Sequence, residues 1–146
     1  MGKGDRIQFF IPFAAKPKQS CEFGRHGGYP KRGVTENAHL LATYALQFRP
    51  KTPIPKGVPV RLELAFRYAW REKDAKLTSL VRRWKYTRPD CDNLAKQVTD
   101  VLQHLQFFED DQQIAALIVR KEWATEPGVF VSVSQLEDIE EALNDA

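Results

Sequence analysis

The stretch "RPDCDNLAKQVTDVLQHLQFFEDDQQ", residues 88–113, sets Asp90 and Asp92 two positions apart, and Asp110 and Asp111 side by side beyond an apolar-periodic run. Carboxylates that converge repel one another and rise in pKa unless a cation sits among them. An oxygen-only set of Asp90, Asp92 and Asp111 fits Mg²⁺, or Mn²⁺ in its place, held by a few carboxylates and several waters. The ligands that zinc or copper prefer are scarce: His26, His39 and His104 stand singly, and Cys21 and Cys91 form no paired motif. Cys91, between the acids, reads as a packing residue. Each acid also has a simpler reading. Asp90 after Pro89 suits a helix N-cap at ~1 kcal/mol, Asp92 in the first turn gains about 0.3–1 kcal/mol from the helix dipole, and Asp110 with Asp111 ends a turn. What favours a shared site is topology: after the helix a strand must return, and the expectation is that it carries Asp111 back toward Asp90 and Asp92.

A hard-cation site in a basic protein points to phosphodiester hydrolysis. Lys96, one turn from Asp92, either holds the carboxylates as an i, i+4 ion pair or stabilises charge on the phosphate. The acid-x-Lys pair of many restriction-type nucleases does not follow Asp90; Asp74-Ala75-Lys76 lies upstream instead. Rival readings are a DNA-binding protein whose acids are structural and a metal-dependent nuclease for flaps or other branched DNA.

The charge distribution supports a polyanionic partner. The last twelve residues hold five acids and no Lys or Arg, leaving 22 bases against 14 acids before them. Such a surplus favours nucleic acid through counterion release. With 146 residues, one domain is expected. No apolar run approaches the ~18 residues of a membrane span, so no membrane is expected. Lys3, Arg6 and the apolar stretch before Ala14-Ala15 loosely mimic a secretory signal, but Pro12 interrupts it and Ile7, Phe9 and Phe10 suit a strand. Two unpaired-looking cysteines make a reducing, cytoplasmic setting the expectation.

These residues need a scaffold, and periodicity supplies it. Residues 5–13 read as a strand and 16–33 as a basic, Gly-rich loop. A helix is predicted from an N-cap at Thr35 to Phe48, with Leu41, Tyr44, Ala45 and Phe48 on one face. Four prolines in residues 50–59 make a stiff connector. Val60, Leu62, Leu64, Phe66, Tyr68 and Trp70 alternate with Arg61, Glu63 and Arg67, the period of a half-buried strand. Residues 71–89 form a basic segment in which Trp84 and Tyr86 interleave with Arg82, Arg83, Lys85 and Arg88. They read either as a solvated edge with two aromatics in the core or as a phosphate-tracking edge beside an active site. The quoted helix buries Leu94, Val98, Val101, Leu102 and Leu105 and exposes Asp92, Lys96 and Asp100. Residues 112–123 then read as a central strand, forming a hairpin with "VFVSV" across Glu126-Pro127-Gly128. Ser134 opens a capping-box spacing and a last, acidic helix. The whole is an α+β domain, a small mixed sheet packed with helices in the order β-α-β-(basic segment)-α-β-β-α.

The ordered set Asp90-x-Asp92-Asn93-x-x-Lys96, Asp100, Asp110-Asp111-x-Gln113 and Lys121 resembles the signature of the RusA family of Holliday junction resolvases, across residues 88–123. That resemblance implies a small homodimer of bacteria, phages or prophages that makes paired Mg²⁺-dependent nicks across a four-way DNA junction. By position it implies that Asp90, Asp92 and Asp111 hold the metal, that Lys96 assists at the phosphate and that Asp110 supports the site. Against DNA, the expected contacts are Arg82, Arg83, Lys85 and Arg88 of the basic segment together with Lys121. The long basic segment and the acidic final helix depart from the family pattern.

Overall fold

The computed structural model describes residues 6–16, 21–24, 27–30, 32–70 and 83–137. Five strands form the main sheet: β1 (Arg6–Ile11), β4 (Val60–Ala69), β5 (Arg83–Trp84), β6 (Ile114–Ala124) and β7 (Gly128–Gln135), in the order β1-β7-β4-β6-β5. Two helices, α1 (Arg32–Ala45) and α2 (Cys91–His104), contribute to the core on one face. The α+β class stands.

Period-two patterning explains the sheet. Leu62, Leu64 and Phe66 of β4 lie in register with Val133, Val131 and Val129 of β7, which in turn face Ile7, Phe9 and Ile11 of β1. This one face is apolar and buried, and it packs against Leu41 and Ala45 of α1 and Leu94, Ala95, Val98 and Leu102 of α2. Phe9 stacks on Phe48 with ring centroids 4.6 Å apart. The alternate residues, Gln8, Ser132, Arg61, Glu63, Arg67, Arg120 and Glu122, make the other face polar. There Glu63 accepts from both Arg61 and Arg120, and the Arg120 bond, chiefly, holds its carboxyl below the usual glutamate range.

Five expectations are corrected. Residues 112–135 are no hairpin: β4 lies between β6 and β7, paired antiparallel with β7 and parallel with β6. Each of those strands reaches β4's apolar register from its own side, and α2 provides the crossover that parallel pairing requires. β4 is thus the central strand, while β6 has beyond it only the two residues of β5. Within residues 16–33, expected to be loop, β2 (Cys21–Gly24) and β3 (Gly27–Pro30) form a two-stranded sheet, and α1 begins at Arg32, so Thr35 lies inside the helix rather than at its cap. Ser134 sits in β7 opposite Arg6 and Arg61 instead of capping a helix; the predicted acidic helix lies largely beyond residue 137, outside the described residues.

The proline-rich connector is stitched to the far end of α2. Ile54 bridges Phe108, donating to the Phe107 carbonyl at 3.1 Å and accepting from Glu109 at 3.2 Å. α2 ends by a backbone reversal at Gln106 (φ 62°), where Phe107 N–H returns to the Leu102 carbonyl and Gln106 N–H to the Gln103 carbonyl. This is the Schellman pattern, and its apolar pair, Leu102 and Phe107, is fully buried. Inside the helix layer Gln97 donates to Asn37 Oδ1 at 3.1 Å, and Asn37 binds Lys16 N–H and the Ala14 carbonyl. That buried set fixes α2 against α1 and the chain leaving β1.

Candidate active site at the two ends of the second helix

Asp90 occupies the N-cap position of α2 in extended geometry (φ −75°, ψ 145°), yet its carboxylate makes no capping bond. Its simplest structural reading therefore fails, and the side chain is exposed. Asp92 and Lys96 follow on the exposed stripe of the helix. Cys91 is half-buried, in keeping with packing. The loop before Asp90 is held from behind. Lys121 of β6 donates to the Thr87 carbonyl at 2.6 Å and the Pro89 carbonyl at 2.7 Å. Lys121, expected against DNA, thus has its ammonium committed to the backbone that presents Asp90. Sequence gave no signal for this beyond its place in the motif.

The basic segment ends in the same place. Lys85 N–H donates to the Lys121 carbonyl at 3.0 Å, continuing the edge begun by Arg83 and Trp84. Lys85, expected among the DNA-contacting bases, is turned inward and only 9% exposed. Its ammonium lies 4.1 Å from the Trp123 ring centroid and 5.2 Å from that of Tyr68, and donates to Thr87 Oγ1 at 2.6 Å. Burial raises the Tyr68 phenol above its ordinary range, so it remains a neutral donor, to the Ala15 carbonyl. Arg83 and Arg88 are exposed. Trp84 and Tyr86 are exposed as well, so neither is tucked into the core. Arg82 and residues 71–81 lie outside the described residues.

Asp111 is elsewhere. Its N–H donates to Gln103 Oε1 at 3.1 Å, in the last turn of α2. With 1.5 Å of rise per residue, the helix separates this point from Asp90 by about 20 Å. The expectation that the returning strand brings Asp111 to Asp90 and Asp92 is corrected for the single chain: Asp111 precedes the start of β6, and the residues β6 carries back are Lys121 to Trp123. Among the described residues, no three His, Cys, Asp or Glu side chains form a cation-sized group.

At this second end the acids have work within the fold. Asp110 accepts from Gln112 N–H at 3.0 Å while its own N–H donates to Gln113 Oε1 at 2.8 Å, capping the 3₁₀ turn Asp111–Gln113. Gln113 Nε2 reaches the carbonyls of Ile54, Pro55 and Val58. The Gln112 N–H holds the Asp110 carboxyl below the usual range. The hydrogen bond it shares with Asp110, then burial and the charges of Asp110 and Asp100, push Asp111 above it. Asp111 is exposed, and a cation there would relieve that repulsion.

A match to the model of the endodeoxyribonuclease RusA family runs over residues 12–134, and the chain belongs to that family. Among its relatives, the crossover junction endodeoxyribonuclease rusA of Lactococcus phage r1t is 34% identical over 93 residues, covering 64% of this chain and 66% of the phage protein. The uncharacterized protein YqaN of Bacillus subtilis (strain 168) is 31% identical over 102 residues, covering 66% of this chain and 70% of that protein. No helix among the described residues is long and apolar enough to cross a membrane.

Proposed function

We propose that the protein is an Mg²⁺-dependent endodeoxyribonuclease that resolves four-way DNA junctions by paired nicks, working as a homodimer whose two active sites each draw on both subunits. The observation that carries this reading is the exposed pair Asp90 and Asp92 beside Lys96: Asp90, with no capping bond, ends a loop held by Lys121, and Asp92 follows in the first turn of α2. Asp90 and Asp92 supply two of the three carboxylates that the motif offers, and the third stands about 20 Å away along α2. A second copy of the chain supplies it: Asp90, Asp92 and Lys96 of one subunit face the partner's Asp111. The donor set fits a hard cation, since every candidate ligand is a carboxylate oxygen. Mg²⁺, or Mn²⁺ in its place, supplies charge stabilisation at the phosphate there.

The chain's own groups do the rest. Lys121 fixes the backbone that aims Asp90. Lys96 offsets charge that develops on the phosphoryl oxygens. Arg83 and Arg88 hold neighbouring phosphates and set the strand's path.

Mixed subunits test this assembly. Asp92→Asn and Asp111→Asn homodimers are each expected to lose cutting of a synthetic four-way junction while still binding it in EDTA. When the two variants are unfolded and refolded together, half the dimers are mixed and each regains one intact site. Nicking then returns to about a quarter of the wild-type rate. No recovery in the mixture, with mixed dimers present, sinks the shared site. Undiminished cutting by Asp92→Asn sinks the metal reading, and equal cutting of a linear duplex sinks the junction specificity.

A further inference from the structure

In the sequence Trp84-Lys85-Tyr86 the cation points into the protein and the two aromatics point out, the reverse of the usual preference. Trp84 is 67% exposed and Tyr86 91%. An aromatic pocket does exist at this level, formed by Trp123 and Tyr68, but Lys85 fills it. A slip of one residue would turn every side chain of the segment over, burying Trp84 and Tyr86 and freeing the lysine. The register is nevertheless pinned as it stands, by the pairing of Arg83 with Trp123 and Trp84 with Glu122, and by the bond from Lys85 N–H to the Lys121 carbonyl. Two flat apolar rings are thus held outward on a rigid edge, with the exposed cations Arg83 and Arg88 before and after them in the chain, Arg83 with its guanidinium 5.9 Å from the Trp70 ring centroid. Tyr86 is four residues, at most ~14 Å of chain, from Asp90.

We propose that Trp84 and Tyr86 are a stacking platform for bases unstacked at the branch point of DNA, and that this edge distinguishes branched DNA from duplex. The proposal rests on the nuclease reading above for its substrate. A ring surface flanked by cations fits nucleic acid, because the cations meet phosphates while the rings meet base faces. Duplex bases already stack on their neighbours and offer no free face. Only a branch point or a single strand does. The recognition is tolerant of sequence, since every base has a π-face.

The test compares wild type, Trp84→Ala, Tyr86→Ala and the conservative Trp84→Phe in EDTA. Each is titrated onto a four-way junction carrying 2-aminopurine at the branch point and onto a linear duplex of matching arm sequence. Each alanine variant is expected to lose roughly five- to a hundredfold in junction affinity with little change on duplex. Trp84→Phe should keep most of the affinity, and quenching of the branch-point fluorophore should disappear in the alanine variants. Equal losses on junction and duplex overturn the proposal, as does unchanged quenching. So does a fall to monomer mass in sedimentation, which would make the rings a contact between subunits. The two readings fail separately. Junction-selective losses in Trp84→Ala alongside full cutting by Asp92→Asn remove the acidic site and keep the platform. Abolished cutting by Asp92→Asn with an inert Trp84→Ala does the opposite.

Discussion

The two ends of α2 carry the same residue type in opposite circumstances. At the amino end, Asp90 ends a loop whose rigidity comes from elsewhere, from Lys121 and its two carbonyl partners, and Asp92 follows in the first turn of the helix, so both carboxylates remain available. At the carboxyl end, Asp110 is consumed by the turn it caps, and only Asp111, beside it, faces outward with a raised pKa. Adjacent acids in a motif are therefore not equivalent. One holds the backbone so that its neighbour can be presented, and the division of labour is set by which of them accepts a backbone N–H.

That contrast is most sharply broken or kept by cutting rates. Asp92→Asn should lower Mg²⁺-dependent cleavage of a four-way junction by a thousandfold or more, about 4 kcal/mol of activation free energy, with the melting temperature unchanged. Asp110→Ala should do the reverse. Its loss is expected in stability, from the missing cap, read as a lower midpoint of urea unfolding, with the residual effect on cleavage reflecting a loosened Asp111. A thousandfold loss in Asp110→Ala with full stability would erase the distinction between the two ends.

Lys121→Ala probes the brace itself. Two charge-assisted bonds to carbonyls are lost, partly replaced by water, so a cost of about 1–2 kcal/mol is expected. Cleavage should fall through kcat rather than KM, because Asp90 is misplaced while DNA contacts remain. A rise in KM alone would return Lys121 to the expected DNA-contacting role.

The smallest effect lies away from both ends. Glu63, between Arg61 and Arg120, has a depressed carboxyl, so its contribution to stability is present above the usual glutamate range and is lost as pH falls through the lowered value. Glu63→Gln should cost up to about 1 kcal/mol at neutral pH, and the gap to wild type should close in acid. A gap that does not change with pH would mean the residue acts through packing instead.

Much of this scaffold was legible in the sequence for a definite reason. β4 and α2 bury one face and wet the other, so their periods of 2 and 3.6 are written in the order of residues. Sheet order was not legible in the same way. β6 and β7 look like a hairpin locally, and only the insertion of β4 between them, a contact made over long separations in sequence, decides otherwise. β5, at two residues, is too short to carry any period. For the site, residue types and spacing located Asp90, Asp92 and Lys96, but the direction of the return was misjudged. A strand brings back its end, not its beginning, and Asp111 stands at the beginning. Lys85 looked like one base among several because side-chain direction depends on the aromatic pocket formed by Tyr68 and Trp123, which lie 17 residues before it and 38 after it.

α2 and β6 lie side by side over nearly the same length: about 20 Å of helix from Asp90 to Gln103, and about 23 Å of strand from Ile114 to Lys121. On the shared-site reading proposed above, helix and strand together would act as a fixed gauge. In a symmetric pair of chains, the gap between the two incisions would be inherited from this gauge rather than tuned by any contact with the cut bonds. Adding one helical turn to α2 and two residues to β6 would lengthen both by ~6 Å. The cut spacing would shift while each active site stayed whole.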